Sequence, residues 1–283
     1  MRKVSNFFVA ILPFLAAVGI QIMFTAGIMF VYSLATTFSL LSTGEASYDA
    51  ILEGVLGSLN SDVLIATSAL TAIILLIVFG WWYKSISIKV SVRDILDKFN
   101  LKNILGIILL GIGLQLSLSL IMNVVAAIKP EWFNNYSELM EQLGMGNTFI
   151  SAIYIGLIAP FSEEFIFRGV ILKKAQKAFP YIGANIFQAV LFGIYHGNMV
   201  QGIYAFFLGM FLGFVCYKLQ SIYASVLLHM IINISGIMLG YIDTEASVYS
   251  TGMYIIIYIA GIIAAIAGMV ILLKKDKSTE DLY

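Results

Sequence analysis

The chain has 283 residues, 60% of them hydrophobic and only 11% charged, and its 16 basic and 16 acidic side chains cancel. A soluble domain of this length carries about 25% charged residues, so water is excluded as the main solvent, and no basic stripe is present for nucleic acid. Apolar runs long enough to cross a bilayer as helix, roughly 18 residues or more, stand where a membrane β-barrel would have alternating segments of about ten. The expected fold is therefore an all-α polytopic membrane protein, a single integral membrane domain over residues 1–283.

Arg2 and Lys3 precede an apolar stretch from Phe7 to about Phe38, interrupted by Pro13. A signal-peptide core of about 7 to 15 residues is too short to account for it, so it is the first span. Apolar segments follow in chain order, giving eight spans at about 7–37, 62–83, 103–128, 148–172, 182–197, 201–218, 221–241 and 251–273. With a cytoplasmic N-terminus, the inside ends carry Arg2, Lys3, Lys84, Lys89, Arg93, Lys98, Lys102, Lys173, Lys174, Lys177, Lys218, Lys274, Lys275 and Lys277, and the outside loops only Lys129. This is the positive-inside pattern, and it places both termini in the cytoplasm.

Two connections read as interfacial helices. Ser91 to Phe99 has apolar residues at helical spacing behind a Ser91/Asp94 capping pattern, and Glu131 to Gly144 combines Trp132, Phe133 and Tyr136 with Glu138 and Glu141. Cys216 is the single cysteine and sits in an apolar run, so it is read as a packing residue.

Ionisable residues inside spans cost about 2.5 to 3.5 kcal/mol on insertion scales and face a partner or a wet cavity. Here they are few. The fourth span holds Glu163, Glu164 and Arg168, the fifth His196 and the seventh His229 and Asn233; the chain has only two histidines and both lie in spans. Glu164 and Arg168, four apart, share a helix face and can pair, whereas Glu163 lies about 100° round the axis and needs another environment. His229 and Asn233 share a face in the same way. Depths from the cytoplasmic ends come to about 12 to 14 Å for Glu163 and His229, about 18 Å for Asn233 and about 21 Å for His196, so the four can meet near mid-membrane. Gly197, Asn198 and Gln201 fall at the turn of a short fifth-and-sixth hairpin, where irregular backbone would line a wet cavity.

Each feature has a plainer reading: packing histidines, Asn233 as helix-to-helix glue, a wholly structural Glu164–Arg168 pair. Glu163 resists it, because a second carboxylate beside the first needs water, a proton or a cation. A free carboxylate, two imidazoles and a carboxamide on three helices are the parts for hydrolysis: a base for water and donors for an oxyanion. A proton- or ion-coupled transporter, or a non-catalytic immunity or scaffold protein, are the alternatives; no inverted repeat supports transport.

These residues resemble the CPBP family, the CAAX proteases and bacteriocin-processing enzymes (Abi-type), which includes the type II CAAX prenyl endopeptidases. Its motifs Glu-Glu-x-x-x-Arg, Phe-x-x-x-His and His-x-x-x-Asn occur in order as Glu163-Glu164 to Arg168, Phe192 to His196 and His229 to Asn233. The resemblance covers residues 148–240 and implies an intramembrane endopeptidase of membrane-associated or lipidated peptides and proteins. It implies that Glu163 and His196 activate water, His229 and Asn233 hold the oxyanion, and Glu164 and Arg168 brace the site. Two routes stay open, a Zn²⁺ held by Glu163, His196 and His229 or a metal-free glutamic mechanism; no His-Glu-x-x-His is present. Absence of long loops and of a eukaryotic retention signal points to a bacterial cytoplasmic membrane rather than to prenyl-protein processing.

Overall fold

The computed structural model describes residues 2–44, 47–58, 60–87, 91–142, 148–245 and 251–274. Among these there is no strand, and the helices are α1 (Arg2–Thr43), α2 (Tyr48–Ser58), α3 (Ser61–Ile86), α4 (Val92–Asp97), α5 (Leu101–Ile128) and α6 (Pro130–Gln142). They continue as α7 (Phe149–Ala175), α8 (Tyr181–Tyr195), α9 (Met199–Leu219), α10 (Ile222–Glu245) and α11 (Thr251–Leu273). Seven are long and apolar enough to cross a membrane, and α8 is a shorter apolar helix. The eight expected apolar helices are all present.

Local chemistry sets their ends. Asn60, Asn100 and Asn198 cap α3, α5 and α9 by accepting a backbone N–H through their side chains. Ser91 and Asp94 form the expected capping box at α4, and the hydrogen bonds from Ser91 hold the Asp94 carboxyl below the usual carboxylate range. α6 realises the second connecting helix, opening at Pro130, and the expected tail of that segment beyond Gln142 lies outside the described residues.

Two features depart from the sequence reading. α1 runs for 42 residues through Pro13, a length of about 63 Å against a hydrocarbon core of about 30 Å. The segment read as an external loop contains α2, which packs on the far end of α1: a Cβ on Gly54 would lie 2.9 Å from a Leu40 methyl. A span-length filter cannot see an eleven-residue helix that finds its support on a neighbour.

Close packing of small residues builds the frame round the site. α5 and α11 cross where a Cβ on Gly113 would lie 2.6 Å from the Gly261 carbonyl oxygen, and one on Gly268 2.6 Å from that of Gly106. α8 and α9 form a hairpin in which a Cβ on Gly193 would lie 2.7 Å from the Gly202 carbonyl oxygen. The turn between them uses Gly197 at φ +72°, where L side chains are strained. α8 has 15 residues, about 22 Å, so the hairpin turn lies short of a full crossing. The core these helices share includes Phe79, Ile107, Phe167, Phe192, Leu228 and Ile232, all essentially inaccessible. Cys216 is half-buried and packs against it, as a packing residue would.

Candidate active site

α7 is not a uniform α-helix. Tyr154–Ile158 and Phe165–Ile171 are π-helical turns on either side of Ala159–Glu164, so the acidic pair sits on a short α-helical step between two widened turns. Such turns are uncommon and concentrate at functional sites. Pro160 supplies part of the cause: it has no N–H to give the carbonyl of Gly156, four residues earlier.

The widened backbone separates the two glutamates by environment. The Glu164 side chain has no accessible surface, and its Oε1 takes the Arg168 guanidinium at 2.7 Å. The helix spacing predicts this pair. The structure adds a third member: the same Oε1 lies 2.9 Å from His229 Nδ1 of α10. Glu163 keeps 16% of its side-chain surface and lies 3.7 Å from His229 Nε2 through Oε2. His229 thus stands between two carboxylates, one sealed in and one reaching open space.

Arg168 is held as tightly as Glu164. It donates to the Gly209 carbonyl of α9 at 3.1 Å, and its guanidinium lies 4.5 Å from the centre of the Phe192 ring. Phe192 connects the motifs, because the same buried ring makes edge contacts with Phe167, His196 and His229, the two histidines at 4.8 and 5.9 Å between centres. The motif residue Phe192 therefore orders three polar side chains that spacing alone leaves on separate helices.

His196 ends α8. There the backbone tightens, the His196 N–H going to Gly193, three residues back, instead of to Phe192. The Phe192 carbonyl is left for His196 Nδ1 at 2.8 Å, a side-chain solution to one of the orphan carbonyls at a helix end. With Nδ1–H spent on a carbonyl, Nε2 of the neutral ring is an acceptor. Asn198 donates to the His196 carbonyl at 3.3 Å and to Gln201 at 2.6 Å, and Tyr136 of α6 hydrogen-bonds Gln201, so α6 is tied to the turn that carries His196. Burial raises the Tyr136 phenol above its ordinary range, and the bond to Gln201 opposes that.

Asn233 has a partner of its own beside the target it is expected to share with His229. Its Nδ2 donates to the Ile155 carbonyl of α7 at 2.8 Å, the interhelical role that a membrane asparagine often takes. The proposed metal ligands are likewise not gathered as a cage: among the described residues no three His, Cys, Asp or Glu side chains are grouped to hold a metal ion. Glu163 and His229 approach each other, while His196 stands across the Phe192 ring from His229. A residue that sequence reasoning missed is Tyr195, whose ring lies edge-on to Phe167 at 5.4 Å and to His196 at 6.5 Å between centres. Only the adjacency of Tyr195 to His196 hints at this in the sequence.

Residues 145–235, about a third of the chain, match the family described as type II CAAX prenyl endopeptidase Rce1-like. The matched segment contains all three motifs, from Glu163 to Asn233. No curated protein and no solved structure matches the chain.

Proposed function

We propose that this chain, whose residues 145–235 belong to the CAAX-protease family, is an intramembrane endopeptidase that cleaves membrane-associated or lipidated peptide substrates. The single observation that carries the reading is the split between adjacent carboxylates: Glu164 is sealed from solvent with one oxygen, Oε1, facing both Arg168 and His229, while Glu163 stays partly open 3.7 Å from His229 Nε2. An ion pair kept only for stability has no use for the second glutamate.

In this reading the Glu163 carboxylate, with His196 Nε2, takes a proton from a water molecule. The water oxygen attacks the scissile carbonyl carbon, and the carbonyl oxygen becomes an oxyanion. His229, protonated on Nε2, and Asn233 donate to that oxygen. The proton on Glu163 then passes to the leaving nitrogen as the C–N bond breaks, leaving a carboxylic acid and an amine. Because Glu163, His196 and His229 are not grouped as a metal cage, no step is routed through a cation.

The catalytic core is residues 148–240 of a single membrane domain, placed in a bacterial cytoplasmic membrane with both termini in the cytoplasm. The partners are a peptide or lipidated protein substrate and membrane lipid. The test is cleavage by the purified full-length chain of a quenched fluorescent peptide and of its lipidated counterpart. Turnover that disappears in Glu163→Gln supports the reading, and equal turnover in that variant overturns it.

A further inference from the structure

The backbone of α7 leaves one carbonyl without a helical donor, and its partner is a residue of the site. An α-helical carbonyl accepts from the N–H four residues on, and a π-helical one from five on. For Ile155 these donors are Ala159 and Pro160. The Ala159 N–H goes instead to Tyr154, five residues back, and Pro160 has none. The Ile155 carbonyl is therefore orphaned within its own helix, which a low-dielectric interior penalises. Asn233 Nδ2 fills the place at 2.8 Å. Gly156 makes the approach feasible, since a Cβ there would lie 3.3 Å from Ile234, the residue after Asn233.

A primary carboxamide has two N–H bonds in one plane. Bonding one of them to Ile155 fixes that plane, and among the described residues the second has no partner. It lies on the helix face of His229, one turn away.

We propose that Pro160 is a positioning residue: by denying Ile155 a helical donor it commits one N–H of Asn233 to the backbone, and thereby holds the other in place for the oxyanion. The catalytic half of this inference rests on the peptidase reading, and the structural half does not. A donor fixed before the reaction pays no reorganisation when charge develops, so the contribution belongs to kcat.

The experiment is a cycle of Pro160→Ala, Asn233→Ala and the double variant in the purified full-length chain, read by thermal midpoint and by kcat and KM on the quenched peptide. Pro160→Ala restores a backbone N–H, so the helix can satisfy Ile155 and release Asn233. Its midpoint stays level or rises, while kcat falls about tenfold with KM unchanged. Asn233→Ala orphans the carbonyl, lowers the midpoint by a few degrees and cuts kcat by about 10² to 10³. In the double variant the midpoint recovers and kcat does not.

Additive midpoint changes would overturn the bond, and wild-type kcat in Pro160→Ala would overturn the positioning role. A wild type without turnover overturns the peptidase reading and the catalytic half together, and the midpoints alone still decide the bond.

Discussion

His229 Nδ1 lies 2.9 Å from Glu164 Oε1 across 65 residues of sequence, and this contact makes one acidic pair into two different residues. Through it Glu164 becomes the shared acceptor of a guanidinium and an imidazole, leaving Glu163 as the carboxylate with room for water. Glu164→Gln can keep an oxygen facing the two donors but removes the negative charge that pairs with the buried Arg168 guanidinium. The variant is expected to lose stability and to keep residual turnover in the fraction that folds. Thermal unfolding with turnover normalised to folded protein checks this; full stability with no turnover would reverse the two roles.

Arg168→Ala is expected to lower folded yield as well as activity. It removes the 2.7 Å partner of Glu164, the bond to the Gly209 carbonyl and the stacking on Phe192 at once. Breaking a buried pair costs about 3 to 5 kcal/mol in soluble proteins, and the contact with His229 moderates the loss here. Normal yield and a normal melting profile would argue that the brace carries no weight.

Glu163→Gln keeps size and polarity but cannot accept the proton, so it should insert and fold normally and lose nearly all hydrolysis. His196→Ala should resemble it. Asn233→Ala should retain more, because one missing oxyanion donor costs about 10² to 10³ in rate and leaves the base intact. Turnover of one peptide by the three purified variants ranks them. If Glu163→Gln instead abolished transport of an ion, the relay alternative would replace the peptidase.

The frame can be tested away from the chemistry. Gly113→Val puts a branched side chain where α5 meets the α11 backbone, 2.6 Å from the Gly261 carbonyl oxygen. Overpacking costs about 1 to 3 kcal/mol when side chains can shift, and backbone atoms cannot shift as easily. A fall in thermal midpoint and in folded yield is expected; an unchanged midpoint would mean that the two helices do not cross here.

The orientation proposed from the charge pattern predicts that a reporter fused after Lys174 is cytoplasmic and one fused after Asp243 external. Protease protection or reporter activity reads each fusion. Both on one side would remove the eight-span arrangement.

The apolar runs by themselves determined the helical membrane fold and most helix ends. Backbone groups in hydrocarbon must be satisfied within a segment, so composition and length leave helix as the outcome. The Glu164–Arg168 pair was equally legible, because i,i+4 spacing acts within one helix. The membership of His229 in that pair was not, nor the role of Phe192 between Arg168 and the two histidines, because both depend on which faces of α7, α8 and α10 meet. Asn233 shows the limit most clearly. Its spacing from His229 suggests one shared target, but nothing in the sequence shows that its carboxamide also answers a carbonyl that Pro160 and a π-helical turn leave open on another helix. Sequence spacing fixes what lies on a face; only the tertiary structure decides which orphaned group that face must satisfy.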